Sequence, residues 1–502
     1  MVNLLTRRRL LRNWLGAAVG LGGSALLAAC GRNTGASAPP PAATAQPSVH
    51  TAGTSSSADA STAATTAASP SPAAKAFSVT WATWANADWN NWEKDVATPG
   101  FERANPGIAV EWLNIPQAQL DTKLQTMQAG GTPADLWVPH ANTGARGYAA
   151  LGMVHDLTPF IQRDKVDMTV FDQPVRDLFT VQGHVIAMPY SVYGSFLFYN
   201  KDLLTKAGAP LPPANWDDQS WTVEVMTATA RQLTRNPGQA DAQYGVNGNG
   251  CVSNETVEGW LWAADPWSAD GYSTGYPSKA SFDSAGAQAA YTFFADLMFK
   301  EHVAPSTADV KALGLAANQD PFAEQRIAMV FRGGFALTPF LKTVKFELGI
   351  AAFPRDKANT NPLLPDSYVL AAKSRVPDQA WALLSYLTGP AGLRGMMAST
   401  GSPPANRTLL DEWYPTYTLL PKEELKQAFE GALQHGKPPF THAFVDSIHL
   451  LTVFNPILNN TLWAGQASVS AALTSVQTAV TAVLAPNVGK KLCVTGSAVG
   501  VC

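Results

Sequence analysis

The sequence predicts an α/β fold with a largely parallel sheet, on the basis of three stretches that begin at Phe77. The first, AFSVTWATWANADWNNWEK, starts as an alternating strand from Phe77 to Trp81 and then becomes a polar, aromatic loop and a helix. The second, GIAVEWLNIP, is a strand that follows the helical FERANP. The third, PADLWVPH, is a short buried strand, and another helix runs through Tyr148. This alternation of strands and helices is typical of α/β domains.

The length and composition of the chain favour a protein with more than one lobe. The stretch from Ala76 onward has roughly 425 residues, which is enough for two or more hydrophobic cores. Of all 502 residues, 46% are hydrophobic and 15% are charged, and the net charge is -3. We find no basic patch that would indicate a nucleic-acid partner. Nor does a long apolar run in this part of the sequence indicate a membrane span.

Residues 1–29 have the pattern of a signal peptide. A basic head, TRRRLLR, is followed by an uncharged stretch from Trp14 to Ala29. This stretch is shorter than the ~20 residues of a bilayer-spanning helix and is interrupted by glycines, so a secretory signal is favoured over an anchor helix. The head also resembles a twin-arginine export motif, which implies that the protein folds before it is exported.

Cys30 is the predicted point of attachment to a membrane. The tetrad LAAC, which ends at Cys30, resembles the bacterial lipobox, whose cysteine is lipidated and becomes the first residue of the mature chain. The alternative is a chance cysteine near an ordinary cleavage site. Residues 30–75 are otherwise an Ala/Ser/Thr/Pro linker with too few large apolar side chains to fold. We expect a protein anchored by lipid to the outer face of the cytoplasmic membrane, which is periplasmic if the cell has an outer membrane.

The remaining cysteines leave several alternatives open. Cys493 and Cys502 enclose a glycine-containing stretch in the C-terminal tail, residues 486–502. Outside the cytoplasm they would form a small disulfide loop, or they would be two free thiols in a frayed terminus. Cys251 is interpreted as a lone buried thiol.

The order of several further segments is more specific than any one of them. They are FERANPGIAVEW, AGGTPADLW, ALGMVHDLTPF, MPYSVYGSFLFYNKDLLTKAG, FAEQRIAMVFRGGF, SYVLAAKSRVPDQAWALLSYLTGPAG, TGSPPAN and ILNNTLWAGQASVSAALTSVQTAV. In this order, from about Phe77 to Ala485, the chain resembles an extracellular solute-binding protein of the carbohydrate-uptake ABC transporter type. This family includes the maltose- and oligosaccharide-binding proteins.

The resemblance implies a two-lobed periplasmic-binding-protein (Venus flytrap) fold that closes on a ligand about a hinge. Each lobe would have a mainly parallel sheet flanked by helices, and three crossings would join the lobes. The crossings are expected near Tyr190–Tyr199, Arg332–Phe335 and Asp366–Leu370. The expected segments are 76–195 and 335–366 for the first lobe and 196–334 and 367–485 for the second.

Candidate ligand-binding residues lie in loops after strands and at the crossings, because ligands settle at the carboxyl ends of strands in such sheets. Sugar C–H faces pack on aromatic rings, and Trp84, Trp260, Trp262 and Trp267 could supply these rings, with burial in the core as the alternative for each. On a helix, Trp260 and Trp267 would share one face and Trp262 would point away. The other candidates are Asn86, Asp88, Asn142, Tyr190, Tyr193, Arg332, Gly333, Asp366 and Tyr368.

Arg332 and Gly333 stand where the family often has a Gly-Trp pair beside the ligand. The tryptophan is absent here, which puts aromatic stacking at this position in doubt. Arg332 would donate to ligand hydroxyls or to a ligand carboxylate, or it would pair with a protein carboxylate across the lobes.

The sequence favours a binding protein over an enzyme. We find no G-x-S-x-G, H-E-x-x-H or C-x-x-C motif, and we expect no catalytic residues, metal or cofactor. The expected function is capture of a sugar, most simply an oligosaccharide, by a monomer that passes it to the permease subunits of an ABC importer. The alternatives are a binding protein for a polyamine or glycerol phosphodiester and, with less support, a tethered glycoside hydrolase.

Overall fold

The computed structural model describes residues 76–84, 87–140, 142–248, 257–418 and 420–502. The predicted signal peptide and linker, together with Cys30, Asn86 and Cys251, lie outside the described residues. Leu315–Asp320 forms a separate short set of turns, in which the backbone N–H of Ala316 donates to the Gln319 side chain at 2.8 Å.

Strands and helices alternate along most of the described chain. The strands are β1 (Phe77–Thr83), β2 (Ile108–Asn114), β3 (Leu136–Trp137), β4 (Thr180–Val181), β5 (His184–Val185), β6 (Met188–Tyr193), β7 (Ser195–Asn200), β8 (Tyr244–Val246), β9 (Ile327–Gly333), β10 (Leu348–Ala351), β11 (Asn361–Pro362), β12 (Leu364–Leu370), β13 (Gly436–Lys437), β14 (Leu492–Thr495) and β15 (Ala498–Val501).

The helices surround these strands. They are α1 (Ala87–Asn91), α2 (Thr98–Ala104), α3 (Leu120–Ala129), α4 (Gly144–Ala150), α5 (Thr158–Asp164), α6 (Gln173–Leu178), α7 (Lys201–Ala207), α8 (Val223–Leu233), α9 (Ala269–Thr274), α10 (Ala285–Phe299), α11 (Thr307–Ala312), α12 (Leu337–Thr343), α13 (Pro377–Thr388), α14 (Pro390–Thr400), α15 (Leu410–Trp413), α16 (Lys422–His435), α17 (Phe440–Ala443), α18 (Ser447–Asn460) and α19 (Val469–Leu484). Trp92–Ala97 is a π-helical turn, and the 3₁₀ turns are Gln117–Gln119, Met168–Val170, Glu258–Trp262, Gly334–Ala336, Arg407–Leu409, Tyr414–Thr416 and Ala485–Asn487.

The first lobe is built on a five-stranded sheet with the order β2-β1-β3-β12-β6. Its first three strands are parallel, as the sequence predicts, with Phe77 opposite Ile108 and Trp81 opposite Leu136. β12 then pairs antiparallel with both β3 and β6. Apolar side chains on the predicted alternation, including Val79 and Trp81, are fully buried in the core.

The second lobe is built on a four-stranded sheet with the order β10-β7-β9-β8. β7 pairs antiparallel with β9 and with β10, while β8 and β9 are parallel. The two sheets are therefore mixed, whereas mainly parallel sheets were expected. The difference arises because strands that follow a crossing enter the sheet from the opposite end. Two lobes, each with its own sheet, confirm the predicted fold class.

The crossings differ from the predicted ones in two of three places. The first is at Gly194, between β6 and β7, inside the predicted range. The second is not at Arg332–Phe335, because β9 and β10 both belong to the second sheet; the chain crosses between β10 and β12. Asp366–Leu370 lies inside β12 and is not a crossing. A later crossing joins α14, which packs on the first lobe, to α16, which packs on β7 and β10.

These crossings exchange two of the predicted lobe segments. Residues 348–351 pair with β7 in the second lobe, and 367–370 pair with β3 and β6 in the first, the reverse of the predicted assignment, whereas 364–366 lie in the first lobe as predicted. α13 packs against β12 and β6, so it also belongs to the first lobe. Sequence periodicity predicts a strand but not the sheet that it joins, because the partner strand is distant in the chain.

The C-terminal tail is a docked β-hairpin, not a frayed end. β14 and β15 pair antiparallel, and a disulfide joins Cys493 to Cys502. The hairpin returns to the first lobe, where the N–H of Val499 donates to the Val154 carbonyl at 3.0 Å. Just before it, α19 and the turn after it (Val469–Asn487) are long and apolar enough to cross a membrane by composition alone, but α19 packs against α10 and α18.

Candidate functional site

β6 and β12 bring four predicted site residues together at the boundary of the lobes. Tyr193 lies opposite Leu364, and the register shifts between Asp366 and Ser367, so that Tyr368 lies opposite Met188. The ring of Tyr190 stacks on the ring of Tyr368, with centroids 4.5 Å apart at an angle of 29°. Both tyrosines are buried. An antiparallel pair with an irregular register therefore gathers Tyr190, Tyr193, Asp366 and Tyr368.

Asp366 is the polar centre of this group. Its side chain is partly buried, and neither carboxylate oxygen accepts a hydrogen bond from any residue in the described ranges. Desolvation raises its pKa to about 7. Burial first, and in part the charge of Asp366, raise the pKa of the Tyr190, Tyr193 and Tyr368 hydroxyls as well. The arrangement presents a partly exposed carboxylate, without a partner in the part of the chain that the structure describes, on strands that also carry three buried tyrosines.

The end of β9 supplies an aromatic ring that the sequence analysis missed. Phe335 is 53% exposed, and its ring lies edge-on to Tyr193 at 6.4 Å between centroids. Gly333 permits this packing, because a Cβ there would lie 2.4 Å from the Phe335 ring and 2.8 Å from Leu364. The N–H of Gly334 donates to the Gly194 carbonyl at 2.6 Å, directly at the crossing. The sequence RGGF already contained this phenylalanine, directly after the two glycines at the predicted crossing.

Arg332, the neighbouring candidate, is partly buried in β9 opposite Phe196. Its Nη1 donates to the Phe331 carbonyl at 3.3 Å. Contact between Arg332 and a ligand stays a prediction, as does its alternative pairing with a carboxylate.

The loop after β1 extends the group on the first lobe. Trp84 is partly buried, its Nε1 donates to the Pro139 carbonyl at 3.0 Å, and its ring lies 6.1 Å from that of His140. Trp89, in α1, packs edge-on against Tyr190 at 5.5 Å. Asp88 is half-exposed and forms an ion pair with Lys342 of α12 at 2.7 Å, so it joins the two lobes. Asn86 lies outside the described residues.

The loop after β3 also reaches the second lobe. Asn142 is exposed, its N–H donates to His140 Nδ1 at 3.2 Å, and its carbonyl accepts a hydrogen bond from the Ser447 hydroxyl. Two residues later, Gly144 begins α4 with a φ of 60°, close against the backbone of His442. A side chain would be strained there, so glycine lets this loop approach α17 closely.

Trp260, Trp262 and Trp267 do not form one continuous aromatic surface. The helical turn Glu258–Trp262 ends at Ala263, which has a φ of 54°, so the predicted shared helix face of Trp260 and Trp267 does not exist. Trp267 is buried among Phe282, Phe440 and Phe444, with ring centroids 5.1–5.4 Å away, and the core accounts for it.

Trp262 lies apart from the tyrosine group. Its ring packs on Phe293 at 5.2 Å and lines a groove of about 600 Å³ between α8 and α10. Arg231 and Glu301, an ion pair with its atoms 2.7 Å apart, also line this groove. The groove is formed entirely by the second lobe.

Trp260 is covered by a lysine that the sequence analysis did not single out. Lys437 Nζ lies 4.2 Å from the centroid of the Trp260 ring and 5.4 Å from that of Tyr272. The ammonium also pairs with Asp265 at 2.7 Å, and the Tyr272 hydroxyl donates to the same carboxylate at 2.8 Å. This ammonium site is near the crossing, because the Lys437 carbonyl accepts from the N–H of Leu363.

Arg146 joins the lobes through backbone carbonyls. It is fully buried in α4 and donates to Leu178 and Asp177 of the first lobe at 2.9 and 3.1 Å. It also donates to Tyr272 and Ala443 of the second lobe at 2.6 and 3.2 Å. Desolvation lowers the pKa of the guanidinium to about 10, so it is charged at neutral pH.

Comparison with known proteins gives a family. The sequence profile of a bacterial extracellular solute-binding protein family matches residues 98–422. Binding proteins of Brucella abortus (strain 2308) and Brucella suis biovar 1 (strain 1330) are each 23% identical over 299 residues. That alignment covers 57% of this chain and 66% of each relative, slightly less than two thirds of their length.

Solved structures share the fold at low sequence identity. An ABC substrate-binding protein of Listeria monocytogenes in complex with cycloalternan is 22% identical, with a TM-score of 0.68 over 82% of this chain and 99% of that one. The cyclic alpha-maltosyl-1,6-maltose binding protein of Arthrobacter globiformis is 19% identical, with a TM-score of 0.65 over 81% and 98%. The profile covers more than half of the chain and the fold agrees with it: the chain belongs to the bacterial extracellular solute-binding protein family.

Proposed function

We propose that this protein captures a carbohydrate at the boundary of its two lobes and delivers it to the permease subunits of an ABC importer. The observation that carries the proposal is the group of Tyr190, Tyr193, Asp366 and Phe335. It combines the exposed ring of Phe335, which packs edge-on against the buried Tyr193, with a partly exposed carboxylate that has no hydrogen-bond or ion-pair partner among the described residues. Rings pack on the C–H faces of a sugar, and a carboxylate accepts hydrogen bonds from its hydroxyls.

Two further findings support capture between the lobes. The ion pair of Asp88 with Lys342 and the hydrogen bonds of Arg146 depend on the relative position of the lobes. Movement about the crossings would break or form these contacts, and hinge closure on a ligand is a common mechanism in two-lobed binding proteins. Structural neighbours bind, by their descriptions, cycloalternan, cyclic alpha-maltosyl-1,6-maltose and maltose.

The mature protein would act as a monomer outside the cytoplasm, held to the membrane through lipid on Cys30. The family is extracellular, which supports a site of action beyond the cytoplasmic membrane. A Cys30→Ala protein should appear in the soluble extracytoplasmic fraction while the unchanged protein sediments with membranes. Retention of the variant in the membrane fraction would contradict the tether.

The test of function is thermal unfolding of the purified protein with a panel of mono- and oligosaccharides, spermidine and glycerophosphodiesters. A ligand at 100 times its dissociation constant stabilises a fold by about 2.7 kcal/mol. We expect stabilisation by one class of sugar, with the sugar recovered unchanged after long incubation. Stabilisation by spermidine or a phosphodiester alone would replace the sugar with that solute, and consumption of the sugar would show an enzyme.

A further inference from the structure

The C-terminal tail is a further covalent connection between the lobes, in addition to the three crossings. Its upstream end belongs to the second lobe, because α19 packs against α10 and α18. The turn after α19 is held there as well, since the side-chain amide of Asn487 donates to the Asp446 carboxylate just before α18. The chain then leaves the second lobe through residues 488–491 and forms the hairpin of β14 and β15.

This hairpin is docked on the first lobe. The N–H of Val499 donates to the Val154 carbonyl at 3.0 Å, and the N–H of Asp156 donates to the Ser497 carbonyl at 2.8 Å. Val499 is fully buried, and β15 packs along α4. Two backbone hydrogen bonds and a buried side chain therefore attach β15 to the first lobe.

The hairpin also contacts the second lobe. Leu492, at the start of β14, is buried, and its side chain lies beside Gly275 at the end of α9. A Cβ on Gly275 would lie 3.4 Å from Leu492 and 3.0 Å from Val445. Gly275 also has a φ of 85°, which favours glycine at this position. The hairpin is therefore in contact with both lobes.

The disulfide keeps the two strands of the hairpin together. It joins Cys493 in β14 to Cys502 directly after β15. Beside it, the N–H of Cys502 donates to the Lys491 carbonyl at 3.0 Å. A two-stranded hairpin is only marginally stable by itself in water, so the cross-link maintains the strand pairing that the docked hairpin needs. Reduction should therefore weaken the attachment of β15 to the first lobe.

The link between α19 and the hairpin sets a limit on the separation of the lobes. A polypeptide extends at most ~3.3–3.6 Å per residue, so the path from Asn487 to Leu492 spans no more than about 18 Å. Part of this path is folded as a turn, in which the N–H of Lys490 donates to the Asn487 carbonyl at 3.0 Å. When the lobes open about the crossings, this turn can extend, but beyond that length the hairpin must leave the first lobe.

We propose that the C-terminal tail, residues 488–502, is a detachable strap that limits how far the two lobes open. With the disulfide intact and the hairpin docked, the strap restrains the lobes, and release of the hairpin allows them to separate further. The contacts of Arg146 and the ion pair of Asp88 with Lys342 are made by side chains, whereas the strap is continuous chain. The strap goes beyond the proposed function, because it acts on the movement of the lobes whichever solute is bound.

The experiment measures the distance between the lobes by double electron–electron resonance, on the protein without ligand. Spin labels are attached to p-acetylphenylalanine in place of Lys123 on α3 and Gln232 on α8, which are both exposed. This chemistry leaves the cysteines unlabelled. The unchanged disulfide is compared with the Cys493→Ser, Cys502→Ser double variant and with protein treated with dithiothreitol. Dithiothreitol transfers two electrons and two protons, so it becomes a cyclic disulfide while the two cysteines become thiols.

A second pair of variants releases the hairpin without a change in the disulfide. Val499→Asp introduces a carboxylate at a fully buried position, and its matched control, Val501→Asp, introduces one at a position that is 43% exposed. A buried charge without a partner is unfavourable, so Val499→Asp should undock the hairpin and Val501→Asp should leave it in place. Circular dichroism would verify that the remainder of each variant folds.

We expect longer and more broadly distributed distances in the reduced protein, in the double serine variant and in Val499→Asp than in the unchanged protein and Val501→Asp. In the same three samples, hydrogen exchange at the Asp156 amide should be faster by about tenfold or more, because this N–H donates to the docked hairpin. Dithiothreitol should have no effect on the double serine variant, which has no disulfide to reduce at this position.

Two results would overturn the strap. Equal distance distributions in all of these samples would show that the tail does not restrain the lobes. Faster exchange at Asp156 with unchanged distances would show that the hairpin undocks without any effect on the opening. Because no ligand is used, neither result bears on whether the protein is a sugar receptor.

Discussion

The stacked rings of Tyr190 and Tyr368 join the strand that leaves the first lobe to the strand that returns to it. Their centroids are 4.5 Å apart; Trp81 of β1 packs edge-on against Tyr368 at 6.0 Å, and Trp89 of α1 packs edge-on against Tyr190 at 5.5 Å. The pair therefore links the core of the first lobe to the surface around Asp366. Its packing fixes the ligand group in position, so the stability of the lobe and the geometry of the site depend on the same rings.

Replacement of Tyr190 should therefore destabilise the fold. Tyr190→Ala removes a buried ring and should lower the free energy of unfolding by about 3–5 kcal/mol. Tyr190→Phe keeps the ring and should cost about 1 kcal/mol or less. Urea unfolding followed by tryptophan fluorescence would measure both. Equal losses in the two variants would show that the hydroxyl, not the stacked ring, stabilises this region.

Phe335 should behave in the opposite way, with an effect on binding but little on stability. The ring is 53% exposed, so Phe335→Ala should change the free energy of unfolding by about 0.5 kcal/mol or less. Loss of ring contact with the ligand should weaken binding about tenfold, or about 1.4 kcal/mol. Phe299→Ala, at an exposed ring on α10, is the matched control and should bind normally. Identical affinities in both variants would remove Phe335 from the site.

Much of the fold and part of the site could be predicted from the sequence, because both have local signals. The alternation of β1 and the strand-helix order predicted the parallel part of the first sheet correctly. Tyr190, Tyr193, Asp366 and Tyr368 were predicted together and lie together. The order of the segments that contain these residues is similar to the order in the family. Their approximate position near the crossings was predicted from that order.

The features that were missed depend on pairings between distant parts of the chain. Lys437 contacts Trp260 and Asp265, and nothing in the local sequence of GK at β13 indicates an aromatic partner. The exchange of β10 and β12 between the sheets is likewise a matter of pairing, which periodicity does not encode. For Trp267 the residue type was informative, but its burial among phenylalanines follows from packing that only the fold defines.

Three carboxyl groups, of which Glu93 and Glu258 are buried and Asp366 is partly buried, should make the protein less stable as the pH rises. Desolvation raises the pKa of Glu93, Glu258 and Asp366 to about 7 in the folded state, against about 4 when unfolded. Between these values the unfolded chain releases protons that the folded protein keeps. The contribution of these protonated groups to the free energy of unfolding is therefore fully present below about pH 4 and is lost as the pH rises through 7.

Each group should contribute on the order of 3–4 kcal/mol to this loss. Urea unfolding of the unliganded protein from pH 4.5 to 8 would measure it, with Asp366→Asn as the comparison. The variant cannot ionise at this position, so its curve should be flatter and it should be the more stable protein at pH 8. A wild-type stability that increases with pH over this range would contradict the assignment.

Arg146 should hold the lobes together through its four carbonyl partners. Arg146→Met keeps most of the apolar length of the side chain but removes the guanidinium. The carbonyls of Leu178, Asp177, Tyr272 and Ala443 then lose their hydrogen-bond donor. A buried polar group that loses its partner costs about 1–3 kcal/mol, so the free energy of unfolding should fall by about 3 kcal/mol or more. Arg163→Met is the matched control, because Arg163 is about half exposed and its ion pairs with Asp164 and Asp378 lie in solvent, so their loss should change the stability little. Arg146→Met also loses the hydrogen bonds that join α4 to the two carbonyls of the second lobe. Small-angle scattering of Arg146→Met should therefore show a larger radius of gyration than that of the control. Unchanged scattering together with a large loss of stability would confine the role of Arg146 to the first lobe, between α4 and α6.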